Sequence, residues 1–163
     1  MADRERILGI DPGLNVTGYG VVSVSASGPL LEEAGVIRGT NRADLPVRVK
    51  DIYDGVVDVI KAFTPATVAV EELYSHYERP KTAILMGHAR GVICLAASQA
   101  GIPVVNYAAT QVKRILTGSG RAPKRQIQQA VCRELALAEL PEPADVADAL
   151  AIALCHAYLR SKT

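Results

Sequence analysis

The chain has 163 residues, 49% hydrophobic and 21% charged, which describes one soluble globular domain over residues 1–163, long enough to bury a core. No apolar run approaches a membrane span, and the stretch after the charged start MADRER is too short for a signal peptide, so the expected location is the cytoplasm with no membrane role. The net charge of +1 hides a split: residues 1–75 carry 7 basic and 11 acidic side chains, residues 76–125 carry 8 basic and a single acid, and residues 126–163 carry 3 basic and 5 acidic. A positive middle third in a near-neutral chain points to a local anionic partner, nucleic acid first. An ordinary solvated basic face is the plain alternative.

In chain order, RILGID (6–11) is a short apolar run ending in Asp-Pro-Gly, a strand stopped by a turn. TGYGVVSVSA and LLEEAGVIRG, β-branched with glycine breaks, predict two further strands and an antiparallel meander. The period then changes: Leu45, Val49, Ile52, Tyr53, Val56, Val57, Ile60 and Phe63 fall on one helical stripe. TVAVEE (67–72) reads as a fourth, buried strand. The polar stretch LYSHYERPK leads into an apolar helix over Thr82–Gln99, and IPVVNY (102–107) is a fifth strand. A short helix over Ala109–Leu116, the basic loop TGSGRAPKR, and helices over Lys124–Leu137 and Asp145–Arg160 complete the chain. Strands first, then strands alternating with helices, predict an α/β fold: a five-stranded mixed sheet with helices on both faces, the order of ribonuclease H-like nucleases.

Cys94, Cys132 and Cys155 are odd in number, far apart and within apolar helical patterns, as buried thiols in a reducing compartment would be. His76, His88 and His156 lack metal-ligand spacing; His76 reads as a loop residue and the other two as helix-packing residues. Met86, Gly87 and Gly91 lie in a helix of small residues that would suit close helix packing, at a subunit interface or within the core.

Four acids stand where a buried sheet protein has little structural use for them. Asp11 ends the first strand, Glu71 the fourth, and Asp145 and Asp148 open an otherwise apolar helix. If the first and fourth strands are neighbours, their ends meet, and residues three apart on a helix above them can point at one spot. Clustered carboxylates repel and one would take up a proton; a hard divalent cation removes the conflict. Two such ions can activate a water and stabilise a leaving oxygen, the chemistry of phosphodiester hydrolysis. Each acid also has a bland explanation. Asp11-Pro12-Gly13 is a good turn, Asp145 is a plausible N-cap with Asp148 as a dipole-favoured neighbour, and Glu72 competes with Glu71.

ILGIDPGLNVTGYGVV, VAVEELY, GHARGV, YAATQVK and ADVADALAIAL closely resemble, in that order, the motifs of the RuvC family of bacterial Holliday junction resolvases, from Ile7 to Ala157. The glycine-rich first segment alone is shared with sugar kinases and actin-like ATPases, but their fold needs two such domains. The resemblance implies that Asp11, Glu71, Asp145 and Asp148 are catalytic acids binding Mg2+ or Mn2+, two ions per site, and it favours Glu71 over Glu72. Some members carry histidine at the position of Asp145. It further implies that Lys113 and Lys124 act at the scissile phosphate and that Tyr74 stacks at the branch point. Arg79, Lys81, Arg121 and Arg125 look like DNA-backbone contacts from mobile loops. The chain stops soon after its last helix, where many relatives continue with a basic tail.

The expected function is therefore that of a homodimeric, metal-dependent endonuclease of recombination and repair. It would nick two opposed strands of a four-way junction, with the branch-migration motor RuvA–RuvB as partner and the nucleoid as its place in the cytoplasm. Two clefts related by a two-fold axis would supply the two matched cuts. Ribonuclease H-type cleavage of RNA–DNA hybrids and non-catalytic junction binding are the competing expectations.

Overall fold

A computed structural model describes residues 4–40, 42–73 and 79–160. The strands are β1 (Glu5–Asp11), β2 (Val16–Ser25), β3 (Gly28–Arg38), β4 (Thr67–Glu71) and β5 (Val104–Tyr107). They form one sheet in the order β3-β2-β1-β4-β5. β1–β2 and β2–β3 pair antiparallel, while β1–β4 and β4–β5 are parallel. The mixed sheet and its meander are as the sequence predicts.

The pleat sorts β1 cleanly. Leu8 and Ile10 face one side with Val21, Val68 and Val70, against helices α1 (Leu45–Phe63) and α2 (Pro80–Gln99). Ile7 faces the other side with Val22 and Ala69, against α3 (Ala109–Thr117), α4 (Lys124–Glu134) and α5 (Ala144–Arg160). Because both faces are covered, β1 and β4 read as continuous apolar runs rather than alternating ones.

Several boundaries move inward or outward, β4 ending at Glu71 and α5 beginning at Ala144 among them. α2 begins at Pro80 rather than Thr82, since proline suits the first helical turn. α4 ends at Glu134 rather than Leu137, because Ala136 turns to a positive φ of 52°. β5 starts at Val104, two residues later than its apolar run suggests.

α5 is the central helix. Every residue from Val146 to Ala157 is buried except Asp148, and the helix lies across β1 and β2. Glycines permit this approach. Gly9 and Gly20 are directly opposed across β1 and β2, as are Asp11 and Gly18. A Cβ on Gly18 would stand 2.9 Å from the Asp145 Cβ and collide with the Asp145 carbonyl; one on Gly9 would stand 2.9 Å from the Ala153 Cβ. The helix can thus rest on bare backbone, with its first turn beside the end of β1. Among the described residues, no helix is long and apolar enough to cross a membrane.

Candidate active site

The parallel register Ile10↔Val70 brings the ends of β1 and β4 side by side. Alternation from Ile7 through Gly9 sends Asp11 to the α5 side of the sheet, and alternation from Ala69 does the same for Glu71. Glu72 is exposed one residue further on. Asp145 and Asp148 enter from above on the first turns of α5. That helix begins at Ala144, so Asp145 lies inside its first turn and is not its N-cap. The loop that follows Asp11 is pinned by fully buried Thr17, whose Oγ1 donates to the Gly13 carbonyl at 2.6 Å and accepts from the Gly13 amide at 3.3 Å.

A cleft of about 230 Å³ opens beside these strand ends, lined by Glu71, Lys113, Lys124 and Asp148 over an apolar floor that includes Val112, Ile127 and Ile152. Lys124 Nζ lies 3.4 Å from Asp148 Oδ2. Burial and then the charges of Asp148, Glu71 and Asp145 push the Asp11 carboxyl up to about 8, with Lys124 opposing them. Glu71 is raised as well, by burial and then by Asp148, against Lys113, Arg90 and Lys124. The four acids therefore share one electrostatic environment with both lysines.

Among the described residues, no three His, Cys, Asp or Glu side chains close on one point as a finished coordination cage. The donor set still fits a hard divalent cation: oxygen ligands only, mutually repelling, with the Asp11 carboxyl raised by burial and then by its acidic neighbours.

The other expected DNA contacts lie outside this cleft. Arg79 precedes α2 and Lys81 is in its first turn, both exposed; Arg121 is in the turn before α4 and Arg125 in its first turn, both exposed. Lys81 and Arg125 thus belong to helices rather than loops. Tyr74 and His76 fall outside the described residues. His88 is exposed on α2 rather than packed, whereas buried His156 shares a 2.5 Å hydrogen bond between Nδ1 and the Tyr107 hydroxyl. All three cysteines are free; Cys155 is buried, and Cys94 and Cys132 are partly so.

Sequence reasoning missed Thr17 and Arg90. Arg90 donates to the Glu71 carbonyl and to the Asn106 side-chain oxygen, tying α2 to the ends of β4 and β5. GHARGV flagged the segment, but the partners appear only once β4 and β5 are paired.

A five-stranded mixed sheet of this order, with acids at the ends of its central parallel strands and on the helix above them, defines a ribonuclease H-like nuclease. Residues 7–156 match the family described as crossover junction endodeoxyribonuclease RuvC. The chain is similar to a protein of that name from Rhodopirellula baltica, 57% identical over 94% of this chain and 86% of the relative. Another from Desulforamulus reducens is 45% identical over 95% and 94%. Among solved structures, Thermus thermophilus RuvC in complex with Holliday junction substrate superposes with a TM-score of 0.91 at 40% identity, covering 98% of this chain and 97% of that one. The chain belongs to the RuvC family of crossover junction endodeoxyribonucleases.

Proposed function

We propose that this chain resolves Holliday junctions, cutting two opposed strands of a four-way DNA junction by divalent-metal-dependent hydrolysis in recombination and repair. One observation carries the reading: carboxylates from β1, β4 and α5 meet at the strand ends, where burial and then their mutual charge push Asp11 to about 8, beside a cleft lined by Lys113 and Lys124. Asp11, Glu71, Asp145 and Asp148 would hold magnesium or manganese, two ions to a site. Such ions, when bound, supply Lewis-acid polarisation and a water of lowered pKa.

The chain's own residues do the positioning. The glycine bed under α5 and the Thr17 pin hold the acids at the rim. Lys124 exchanges Asp148 for a phosphate oxygen as DNA enters, and Lys113 and Lys124 stabilise charge accumulating on the phosphoryl group. Tyr74 stacks on a base at the branch point, as the family resemblance implies, while Arg79, Lys81, Arg121 and Arg125 hold backbone phosphates.

Two matched cuts require two clefts, so the working unit is a homodimer. α2 supports this. Ile84, His88, Gly91, Leu95 and Ser98 are all exposed and recur at alternating spacings of four and three. Ile84 is 62% and Leu95 49% exposed, and a Cβ on Gly87 or Gly91 would meet open space. Such a seam is complementary to a second copy of itself. The branch-migration motor RuvA–RuvB is the partner this reading implies, and the cytoplasmic nucleoid the place.

The test is a synthetic four-way junction incubated with magnesium or manganese, with cuts mapped on all four strands. Symmetry-related cuts on one opposed pair are expected. Asp11→Asn, Glu71→Gln and Asp148→Asn should bind the junction in calcium without cutting it. Cleavage of RNA–DNA hybrids with junctions left intact would transfer the protein to ribonuclease H-type activity, and binding without any cutting would leave a junction-binding module.

A further inference from the structure

The N-terminal part of the chain is acid-rich in sequence, yet folding gathers three arginines at one place. Arg38 ends β3 opposite Val16. Arg42 follows it in a positive-φ turn at 60°, and Arg48 in α1 donates to the Asn15 side-chain oxygen. The Gly39 amide donates to the Asn15 carbonyl at 3.2 Å, and a Cβ on Gly39 would lie 3.7 Å from the Arg48 Cβ. Arg38 and Arg48 therefore flank the same loop, the one that leaves Asp11.

Arg38 and Arg42 are exposed and Arg48 is half-buried. Among the described residues, no carboxylate pairs with any of the three, whereas Arg6 and Lys50 from the same part of the chain are paired with Glu32 and Asp54. The acids near the cluster are Asp44, exposed ahead of α1, and Asp51, which is taken up by the Thr40 amide at 2.8 Å and the Thr40 hydroxyl at 2.6 Å. Gathering guanidinium groups with no carboxylate paired to them is electrostatically unfavourable unless a polyanion joins them, and arginine suits phosphate by its forked donors.

The position matters as much as the charge. β3 lies two strands from β1 on the same end of the sheet as Asp11. Strand spacing puts their backbones about 10 Å apart, and each DNA strand carries a phosphate every ~3.4 Å of axis, so the separation is roughly three nucleotides. Lys113 and Lys124 stand on α3 and α4, over the other side of the acids.

We propose that Arg38, Arg42 and Arg48 form a second phosphate-binding surface. It takes the backbone of the duplex arm that leaves the cleavage point across the β2–β3 edge, opposite the lysine side. The proposal rests on the junction-resolvase reading and adds where one arm lies.

The experiment measures wild type and the double variant Arg38→Gln/Arg42→Gln for junction affinity in calcium between 50 and 200 mM salt (about the range where phosphate contacts are most visible). The variant should lose about 1.8 from the slope of log affinity against log salt, at about 0.9 per phosphate contact, and bind roughly tenfold more weakly near physiological salt. Its thermal midpoint should match wild type, both side chains being exposed. Lys61→Gln, exposed in the last turn of α1 at the far end of the sheet, should keep the wild-type slope. An unchanged slope in the double variant, with wild type binding the junction, would overturn the surface while leaving the resolvase reading intact. An equal loss in Lys61→Gln would overturn it in favour of net charge. Failure of wild type to bind or cut junctions would remove both readings.

Discussion

At Asp11 the electrostatics of the cluster become measurable. Its carboxyl titrates near 3.8 in an unfolded chain and near 8 in the fold. The folded state therefore holds a proton across that interval which the unfolded state has released, and stability falls as pH rises from about 4 through 8. Asparagine cannot ionise, so in chelator the melting temperature of Asp11→Asn should gain on wild type from pH 5 to pH 8.5. A difference that stays constant with pH would count against the coupling. Ligation needs the ionised carboxylate, so divalent-metal affinity should strengthen as pH climbs toward 8, with proton release on binding. Lys124 works in the opposite sense to the acids, and Lys124→Ala or Lys113→Ala should slow single-turnover cleavage by about 10- to 100-fold; full rates in both would remove them from the chemistry. The acids were readable in the sequence because each sat at an element end with a weak structural reason to be there. Thr17 and Arg90 were not, because a buried hydroxyl and a half-buried guanidinium acquire meaning only through the carbonyls they meet.

The elements were legible for a related reason. Period-two and helical patterns are local, and the elements follow from them with shifts of one to three residues at their ends, proline deciding the start of α2 and a positive φ the end of α4. What the patterns could not supply is the closeness of α5 to the sheet. Gly9, Gly18 and Gly20 look like breaks in strands, where glycine is unfavourable, and only the pairing of Asp11 with Gly18 shows that they form a bed for a helix. Gly18→Ala tests this. The added methyl must displace the first turn of α5 or bend β2, at a cost of about 1–3 kcal/mol. Denaturant unfolding should record that loss, and cleavage should fall with it because Asp145 is carried on the displaced turn. Wild-type stability together with a wild-type rate would show that the contact can relax without consequence.

For the whole molecule, the basic middle third was visible as composition, while the arginine cluster was not. Its members are scattered through a segment with net charge −4 and become neighbours only at the end of the sheet. The α2 seam was half visible, in the small residues of its helix. Replacing Ile84 and Leu95 by lysine should yield monomers in sedimentation and single, unpaired nicks in place of symmetric ones; a dimer that persists would place the interface elsewhere. The placement of α5 has one more consequence. It follows all five strands along the chain, yet it settles on β1 and β2, which come first. A nascent chain carries Asp11 and Glu71 but lacks the turn that brings Asp145 and Asp148 to them. The four acids thus come together in one event, the docking of α5, and a chain folded only as far as β5 holds half of the cluster.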